Sequence, residues 1–447
     1  MSVFDNKRLD NSTFKLDIDR MRDGWYTDKY FVNIANMLTV LAKENYIYNG
    51  QYPNLPSSMV EKGINCGDIE VEMQFFTRRL GDTVVVGIDK ALTMLRHCTG
   101  YWQEDQWVDT HANLEVWAVQ DGCTVHSNGD PMDVQPVMRV RGHYRDFAHL
   151  ETTLLGILAR ASRVATNVYQ TLIAARGKPL LFFPARFDVH EVQAADGYAY
   201  HIAVERYNMD YAHKLGPFVS TDAQGDWWGG AGGGTVAHAA IASFLGDTAE
   251  AMLAFARIQP ASIVRIALVD FNNDCVTDSL RVCTAMFQKY RELVDKGEMD
   301  EAERYRLYGV RLDTSASLRD VSVPPLGDPK LDLGVTPRLV HIVREALDNA
   351  WKDWNLPAEW VERAQEFCSF VKIVVSGGFD AERIDRFERL GVPVDIYAVG
   401  SSLFDNHGPT KADYTADVVR VKIHGEWVDM AKIGRRPCEN PDLERIW

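Results

Sequence analysis

A histidine and an aspartate stand where side chains with reactive groups could act. His238 follows the glycine-rich stretch 229–234 (GGAGGG) and begins the apolar run HAAIASFL, and Asp270 ends the apolar segment IALVD. A carboxylate at the end of a strand can hydrogen-bond an imidazole and fix its tautomer, as in a catalytic dyad. The alternative is that His238 is a core histidine beside a glycine hinge. The glycine stretch matches neither the dinucleotide fingerprint nor the phosphate loop that ends in Gly-Lys-Ser/Thr.

Three further segments could bind a phosphorylated sugar. In GVRLDT, Arg311 and Asp313 are two positions apart, so their side chains share one face of a strand. An arginine can bind phosphate, and an aspartate can bind vicinal hydroxyls or magnesium. In VVSGGFD and YAVGSSL, apolar runs end in small residues whose backbone amides can surround an anion, namely Ser376, Gly377, Gly378, Gly400 and Ser401. Each segment alone also fits a surface ion pair or an ordinary turn, but together they favour a phosphorylated sugar.

Short β-rich runs alternate with helical patterns after residue 150. The run PLLFF is followed along the chain by IVRIALVDF, YGVRLD, VKIVVSGGF and VDIYAVGSS, and these last four carry polar or glycine residues at or near their ends. This pattern is typical of a parallel α/β layer with its ligand site at the carboxyl ends of the strands. We interpret 151–405 as an α/β barrel or a close relative. The proline-rich segment 322–335 is expected to be a surface loop.

The two ends of the chain have a different pattern. Helical spacing of apolar residues predicts a helix within 31–48, and 119–144 is typical of short strands joined by tight turns. The tail VVRVKIHGEWVDMAK has β-alternation around a turn at 424–425, so we expect it to return to a sheet.

Composition restricts the class of protein. A chain of 447 residues with a net charge of -15 has no basic footprint for nucleic acid or an anionic membrane surface. Its seven cysteines contain no CxxC pair, so no disulfide framework or structural zinc site is indicated. We see no signal-peptide core and no apolar run of membrane-spanning length. These features predict a cytoplasmic protein.

Several motifs, in the family's order, resemble nicotinate phosphoribosyltransferases (type II pyridine phosphoribosyltransferases) and, more distantly, nicotinamide phosphoribosyltransferases. They are YTDKYF, ETTLLGIL, GTVAH, FLGDTAEAMLAF, LVDFNND, GVRLDT, VVSGGFD, YAVGSSL, DYTADVVRV and AKIGRRP. The chain lacks the cysteine zinc knuckle of some relatives.

The resemblance implies an α/β fold, with an incomplete TIM-like α/β barrel plus an α/β sandwich domain built from both chain ends. The expected domains are 1–150 for the sandwich, 151–405 for the barrel and 406–447 for the return to the sandwich. The implied reaction converts nicotinate and phosphoribosyl pyrophosphate to nicotinate mononucleotide and pyrophosphate. It would use Mg²⁺, with ATP as co-substrate, hydrolysed through a phosphohistidine. A homodimer is also implied.

The family motifs assign roles to single residues. His238 would be phosphorylated and Asp270 would orient it, while Arg311 and Asp313 would hold the phosphoribosyl group. The backbone at 376–378 and 400–401 would bind the 5-phosphate.

Three residues are expected at the pyridine ring. Tyr30 would stack on the ring across a dimer interface, and Arg186 would contact the ring or its carboxylate. Asp222 stands where nicotinate enzymes are expected to carry asparagine or serine. Its carboxylate would repel nicotinate and accept a hydrogen bond from nicotinamide, so this position could reverse the substrate, unless Asp222 faces solvent.

Three alternatives remain open at this stage. A nicotinamide phosphoribosyltransferase would share most of these motifs. A barrel aldolase or isomerase would need a lysine or a paired acid and base at a strand end, and the strand ends offer no such lysine. A catalytically silent metabolite-binding barrel would be expected to lose His238, Asp270, Arg311 and Asp313, yet all four are present.

Overall fold

The computed structural model describes residues 7–50 and 55–447, which form two compact units. The first unit contains the described residues of 1–169 together with 198–209 and 405–447, and the second contains 170–197 and 210–404. Both ends of the chain therefore contribute to the first unit. In the part of the chain that the structure describes, none of the helices combines the length and apolar character needed to cross a bilayer.

The helices, numbered in chain order, are α1 (Ile18–Arg22), α2 (Lys29–Lys43), α3 (Ser57–Val60), α4 (Ile88–Cys98), α5 (Tyr144–Phe147), α6 (Glu151–Ala175), α7 (Gln193–Tyr211), α8 (Asp222–Gly225), α9 (His238–Ser243), α10 (Thr248–Ile258), α11 (Cys275–Asp295), α12 (Met299–Glu303), α13 (Pro329–Asp332), α14 (Pro337–Asn349), α15 (Ala358–Phe370) and α16 (Ala381–Arg389). The helix predicted within 31–48 is α2.

The strands are β1 (Ile47–Tyr48), β2 (Ile64–Asn65), β3 (Glu70–Thr77), β4 (Gly81–Val84), β5 (Gly100–Gln103), β6 (Gln106–Asp109), β7 (Glu115–Ala118), β8 (Thr124–Ser127), β9 (Met138–His143), β10 (Leu180–Phe182), β11 (Phe218–Val219), β12 (Ile266–Leu268), β13 (Gly309–Leu312), β14 (Lys372–Val375), β15 (Ile396–Val399), β16 (Tyr414–Ile423), β17 (Glu426–Asp429) and β18 (Glu444–Arg445).

The main sheet of the first unit is antiparallel, with the order β17-β16-β3-β9-β7-β18. β16 pairs with β3 along almost its whole length, so the C-terminal tail returns to a sheet of the N-terminal region, as the sequence predicts. His424 and Gly425 both have positive φ, which suits the two-residue hairpin between β16 and β17. Phe75, Val140, Leu95 and Leu158 belong to the core cluster of this unit.

The second unit contains a six-stranded sheet in the order β11-β10-β15-β14-β13-β12, and every pairing in it is parallel. Five of these strands are the apolar runs identified in the sequence, with helices between most of them. β10 pairs with β15, so the first and last strands of this unit are neighbours. Within the described residues β11 and β12 are the two edges, and the sheet is open between them. The mixed α/β class is confirmed, whereas the incomplete barrel stays a prediction.

All six strands of this sheet run in the same direction, so their carboxyl ends lie at one edge. The loops that leave this edge carry most of the residues that the sequence singles out for chemistry. Segment 322–335, predicted as a surface loop, contains the short helix α13 and several exposed residues.

Candidate active site

A cavity of about 1010 Å³ in the second unit is lined by one face of the parallel sheet and by the loops that follow its strands. Its apolar wall includes a cluster of strand residues, namely Leu181, Ile266, Val374, Ile396 and Ala398. Its polar part includes side chains and turns identified in the sequence, namely Arg186, His238, Arg311, Asp313, Ser376, Gly377, Gly378, Gly400 and Ser401. An apolar pocket with a few convergent polar groups is typical of a small-molecule site.

His238 and Asp270 meet in the structure. His238 is the first residue of α9 and lines the cavity, and Asp270 lies two residues beyond the end of β12. Nε2 of His238 lies 3.1 Å from Oδ1 and 3.0 Å from Oδ2 of Asp270. The histidine side chain is 46% exposed and that of the aspartate only 9% exposed. The imidazole is therefore accessible while the carboxylate that orients it is largely covered.

The surroundings of Asp270 raise the pKa of its carboxyl. Burial raises the pKa of the Asp270 carboxyl, and the hydrogen bond from His238 opposes this rise. The negative charge of Asp313 raises the Asp270 pKa further. Because Asp270 accepts the proton at Nε2, the lone pair of the neutral imidazole is on Nδ1. The atom available for nucleophilic attack is therefore Nδ1.

Arg311 and Asp313 lie together at the cavity, as their spacing predicts. Nη2 of Arg311 is 3.7 Å from Oδ2 of Asp313, and the guanidinium carbon lies 5.8 Å from the ring centroid of Phe183. Ser376 Oγ donates a hydrogen bond to Oδ1 of Asp313 at 2.8 Å. The pair thus presents a cation and a carboxylate next to the turn that follows β14.

The turns after β14 and β15 require glycine. Gly377 and Gly378 have φ values of +87° and +73°, in the left-handed region that other residues rarely adopt. A Cβ at Gly400 would lie 2.7 Å from a ring carbon of Phe187. The backbone can therefore approach a ligand closely at both turns.

The three residues predicted at the pyridine ring lie in different places. Arg186 lines the cavity, with its guanidinium carbon 5.4 Å from the ring centroid of Phe187. Tyr30 is an exposed residue of α2 in the first unit. Asp222 is exposed, and its carboxylate accepts the N–H of Gly232 at 2.9 Å. Neither Tyr30 nor Asp222 is a lining residue of the cavity, and their contacts with the ring stay predictions.

Sequence reasoning missed the aromatic residues of the cavity wall, among them Phe183 and Phe218, whose ring centroids are 6.0 Å apart. The alternation of β10 could have indicated Phe183, because Leu181 and Phe183 share a face while Phe182 is fully buried on the other. β11 consists of two residues, too few for a periodic signal, so Phe218 gave no usable pattern.

Residues 59–162 match the family model described as the quinolinate phosphoribosyl transferase N-terminal domain. The structure is similar to a crystal structure of nicotinate-nucleotide pyrophosphorylase from Pyrococcus furiosus, with 24% identity and a TM-score of 0.62 over 95% of this chain and 81% of the other. Residues 59–162 therefore carry a domain of the quinolinate phosphoribosyl transferase N-terminal type, and the similarity to the solved structure shows the fold of the chain. A crystal structure of human nicotinic acid phosphoribosyltransferase is also similar, with 16% identity and a TM-score of 0.49 over 88% of this chain and 74% of the other.

In this cavity the polar groups lie in the loops at the edge of the sheet, and the aliphatic and aromatic groups lie along its face. A phosphorylated sugar needs polar and charged groups around it, whereas a flat heterocycle needs an apolar wall. The two parts of the cavity provide these two environments.

Proposed function

We propose that this protein is a phosphoribosyltransferase that converts nicotinate and phosphoribosyl pyrophosphate to nicotinate mononucleotide and pyrophosphate, coupled to ATP hydrolysis through phosphorylation of His238. The observation that carries the proposal is the His238–Asp270 pair at a cavity that also presents Arg311 and Asp313. In glycosyl transfer the nucleophile is the nitrogen of the base, so the protein need not supply one. An accessible, oriented imidazole therefore supports a second step, a phosphoryl transfer.

In that second step, Nδ1 of His238 attacks the γ-phosphorus of ATP. An N–P bond forms, the bond from phosphorus to the bridging oxygen breaks, and ADP leaves with the electron pair. The ring keeps its Nε2 proton and becomes cationic, and the Asp270 carboxylate 3.0 Å away balances that charge. Attack of water on the phosphorus later releases phosphate and restores the neutral imidazole.

In the glycosyl step, the ring nitrogen of nicotinate bonds to the anomeric carbon as the bond to pyrophosphate breaks. Arg311 and Asp313 would hold the phosphoribosyl group, and the turns at 376–378 and 400–401 would bind its 5-phosphate. No cluster of three or more His, Cys, Asp or Glu side chains suited to a metal occurs in the described ranges. Mg²⁺ is commonly held by one or two carboxylates plus substrate phosphates, and Asp313, which lines the cavity, fits that requirement. The ion would neutralise charge on the departing pyrophosphate.

The charge of the cavity favours a base with one carboxylate. Among the described lining residues, the permanent cations are Arg186 and Arg311. If Arg311 serves the phosphoribosyl group, Arg186 alone remains for the base. Nicotinate carries one carboxylate, whereas nicotinamide would leave the Arg186 guanidinium without a charged partner. Phe183 and Phe218 provide an aromatic wall for the ring.

Quinolinate is a second candidate base, because the N-terminal domain matches a quinolinate phosphoribosyltransferase model. Quinolinate carries two carboxylates, and Arg186 can pair with only one of them, so the second carboxylate would have no cation among the described lining residues. An activity assay with each base separately therefore decides between nicotinate and quinolinate.

An exposed apolar surface on the first unit supports the proposal of a homodimer. Trp25, Tyr30, Met37, Val40 and Ile47 are each more than half exposed, in or beside α2. Surfaces of this kind commonly mark protein–protein contacts. In a homodimer, Tyr30 would be available to the pyridine site of the second copy.

The proposal is tested by measuring mononucleotide formation from phosphoribosyl pyrophosphate and Mg²⁺. Nicotinate, nicotinamide and quinolinate are offered separately, with and without ATP, to the wild type, to His238→Ala and to His341→Ala. His341 is an exposed histidine of α14 and serves as the control. We expect nicotinate turnover that ATP stimulates in the wild type and in the control but not in His238→Ala. If only nicotinamide or only quinolinate is converted, that base is the substrate in place of nicotinate. If none of the three bases is converted, the proposal is overturned.

A further inference from the structure

Arg383 of α16 contacts the backbone that forms the turn after β14, although Arg383 itself is not a lining residue of the cavity. Its Nη1 donates to the carbonyl oxygen of Gly377 at 2.8 Å and to that of Gly378 at 3.1 Å. Its Nη2 donates to the carbonyl oxygen of Val335 at 2.6 Å. One guanidinium therefore joins two consecutive carbonyls of the turn to the loop before α14.

These hydrogen bonds determine which way the turn presents its amides. In a trans peptide the carbonyl and the N–H of the next residue point in opposite directions, and no cis peptide bond occurs among the described residues. With the carbonyls of Gly377 and Gly378 directed at Arg383, the N–H groups of Gly378 and Phe379 are directed away from it. Both residues line the cavity. Within the described part of the chain, neither of these N–H groups has an acceptor.

The guanidinium is itself held in place. Its carbon lies 4.1 Å from the ring centroid of Phe379 and 5.8 Å from that of Phe387. A lysine in this position could not make the same set of contacts, because only the planar fork of arginine donates in two directions while stacking on a ring. Ser376 Oγ anchors the other end of the turn by its hydrogen bond to Asp313.

We propose that Arg383 is a positioning residue that sets the two free amides at 378 and 379 and adds a positive charge behind them, so that this turn accepts the 5-phosphate of the substrate. This inference rests on the proposed function, which assigns the turn to that phosphate. Arg383 acts through the backbone and does not touch the substrate.

The test compares Arg383→Ala and Arg383→Lys with Arg389→Ala. Arg389 lies on the same helix, pairs with Asp385 and is 64% exposed, so its loss removes one charge without touching the turn. Steady-state kinetics gives KM for each substrate and kcat. Calorimetric titration gives Kd for phosphoribosyl pyrophosphate with Mg²⁺ and for inorganic phosphate.

In both Arg383 variants, KM and Kd for phosphoribosyl pyrophosphate should rise about 10- to 100-fold, the loss typical of charge-assisted hydrogen bonds. The KM for nicotinate should change by less than about twofold. Added guanidinium should restore part of the affinity to Arg383→Ala and none to the control. A general loss of structure would instead change both KM values and could not be rescued in this way.

Unchanged affinity for phosphoribosyl pyrophosphate in a folded Arg383→Lys protein would overturn the inference, even if Arg383→Ala does not fold. If the wild type binds phosphoribosyl pyrophosphate without converting nicotinate, the proposed function fails while the Kd comparison still decides the role of Arg383. If the wild type does not bind phosphoribosyl pyrophosphate, the phosphate assignment and this inference both fail.

Discussion

The imidazole of His238 and the carboxylate of Asp270, 32 positions apart in the chain, meet with Nε2 3.0 Å and 3.1 Å from the two carboxylate oxygens. The first residue is on a short helix after a glycine-rich loop, and the second follows a strand of the parallel sheet. The contact leaves Nδ1 as the reactive nitrogen and gives the imidazolium form a counter-charge.

Replacing the carboxylate should therefore reduce phosphorylation of His238. In Asp270→Asn, the amide can no longer balance the charge of the phosphorylated ring, so we expect the rate of label transfer from γ-labelled ATP to fall on the order of a hundredfold or more. Acid-labile label retained on the protein is the measurement. Asp295→Asn, on the exposed end of α11, is the control. Equal labelling of the two variants would contradict this role for Asp270.

The raised pKa of Asp270 predicts the pH dependence of the same step. Burial favours the neutral carboxyl, so as the pH falls Asp270 becomes protonated earlier than an ordinary aspartate and no longer supports the imidazolium. The labelling rate should therefore decline on the acid side with an apparent pKa above the usual aspartate range. The profiles of the wild type and Asp270→Asn should therefore differ in shape on the acid side, and identical acid limbs would contradict this role of Asp270. A wild-type profile without such a limb would count against the assignment.

Phe183 should affect binding of the base and leave binding of the phosphoribosyl donor alone. Its ring lines the cavity and faces Phe218, so Phe183→Leu removes an aromatic surface while keeping an apolar side chain. We expect the KM for nicotinate to rise about tenfold, the order expected for loss of one aromatic contact. The KM for phosphoribosyl pyrophosphate is measured in the same assays and should stay constant. Phe244→Leu, on an exposed residue, is the matched control.

Arg186 should distinguish bases by their charge. In Arg186→Gln the side chain keeps hydrogen-bond donors and loses the cation, so the KM for nicotinate should rise about 10- to 100-fold. Nicotinamide has no carboxylate, so its inhibition constant should hardly change. Competition of the two bases in one assay measures the ratio. If the affinities for nicotinate and nicotinamide fall by the same factor, Arg186 supports the structure of the cavity and does not bind the carboxylate.

Glu151, at the start of α6, should make the stability of the protein depend on pH. Burial raises the pKa of its carboxyl to about 8, and the charge of Asp417 adds to the rise. A folded-state pKa above the unfolded one means that the contribution to stability is complete at acid pH and is lost as the pH rises toward 8. Glu151→Gln should therefore be more stable than the wild type at pH 8, on the order of 2 kcal/mol, and the difference should vanish at about pH 4. Urea unfolding at both pH values tests this.

Sequence and structure agree where local patterns are strong. Five apolar runs of the second unit are strands of the parallel sheet, because each has enough buried residues to give a clear signal. The two-residue turn at 424–425 was likewise predictable from its residues, because His424 and Gly425 both adopt the positive φ that such a turn requires. The sequence did not predict β11, because a strand of two residues is too short to show an alternation of apolar and polar side chains.

The sequence by itself determined the kinds of groups present at the site: an imidazole after glycines, a carboxylate at a strand end, an arginine and an aspartate on one face, and two small-residue turns. These follow from spacing along one strand or one turn, which is a local property. Only the tertiary structure decided which groups meet. It brought Asp270 to His238 and aimed Arg383 at the carbonyls of Gly377 and Gly378. It also turned Asp222 to the backbone of the glycine loop. The contact of His238 with Asp270 joins segments 32 positions apart, which meet only when α9 lies beside the end of β12. The other contacts span 5 to 10 positions, but they depend on backbone conformations of the turn and the glycine loop that the periodicity of the residues does not indicate.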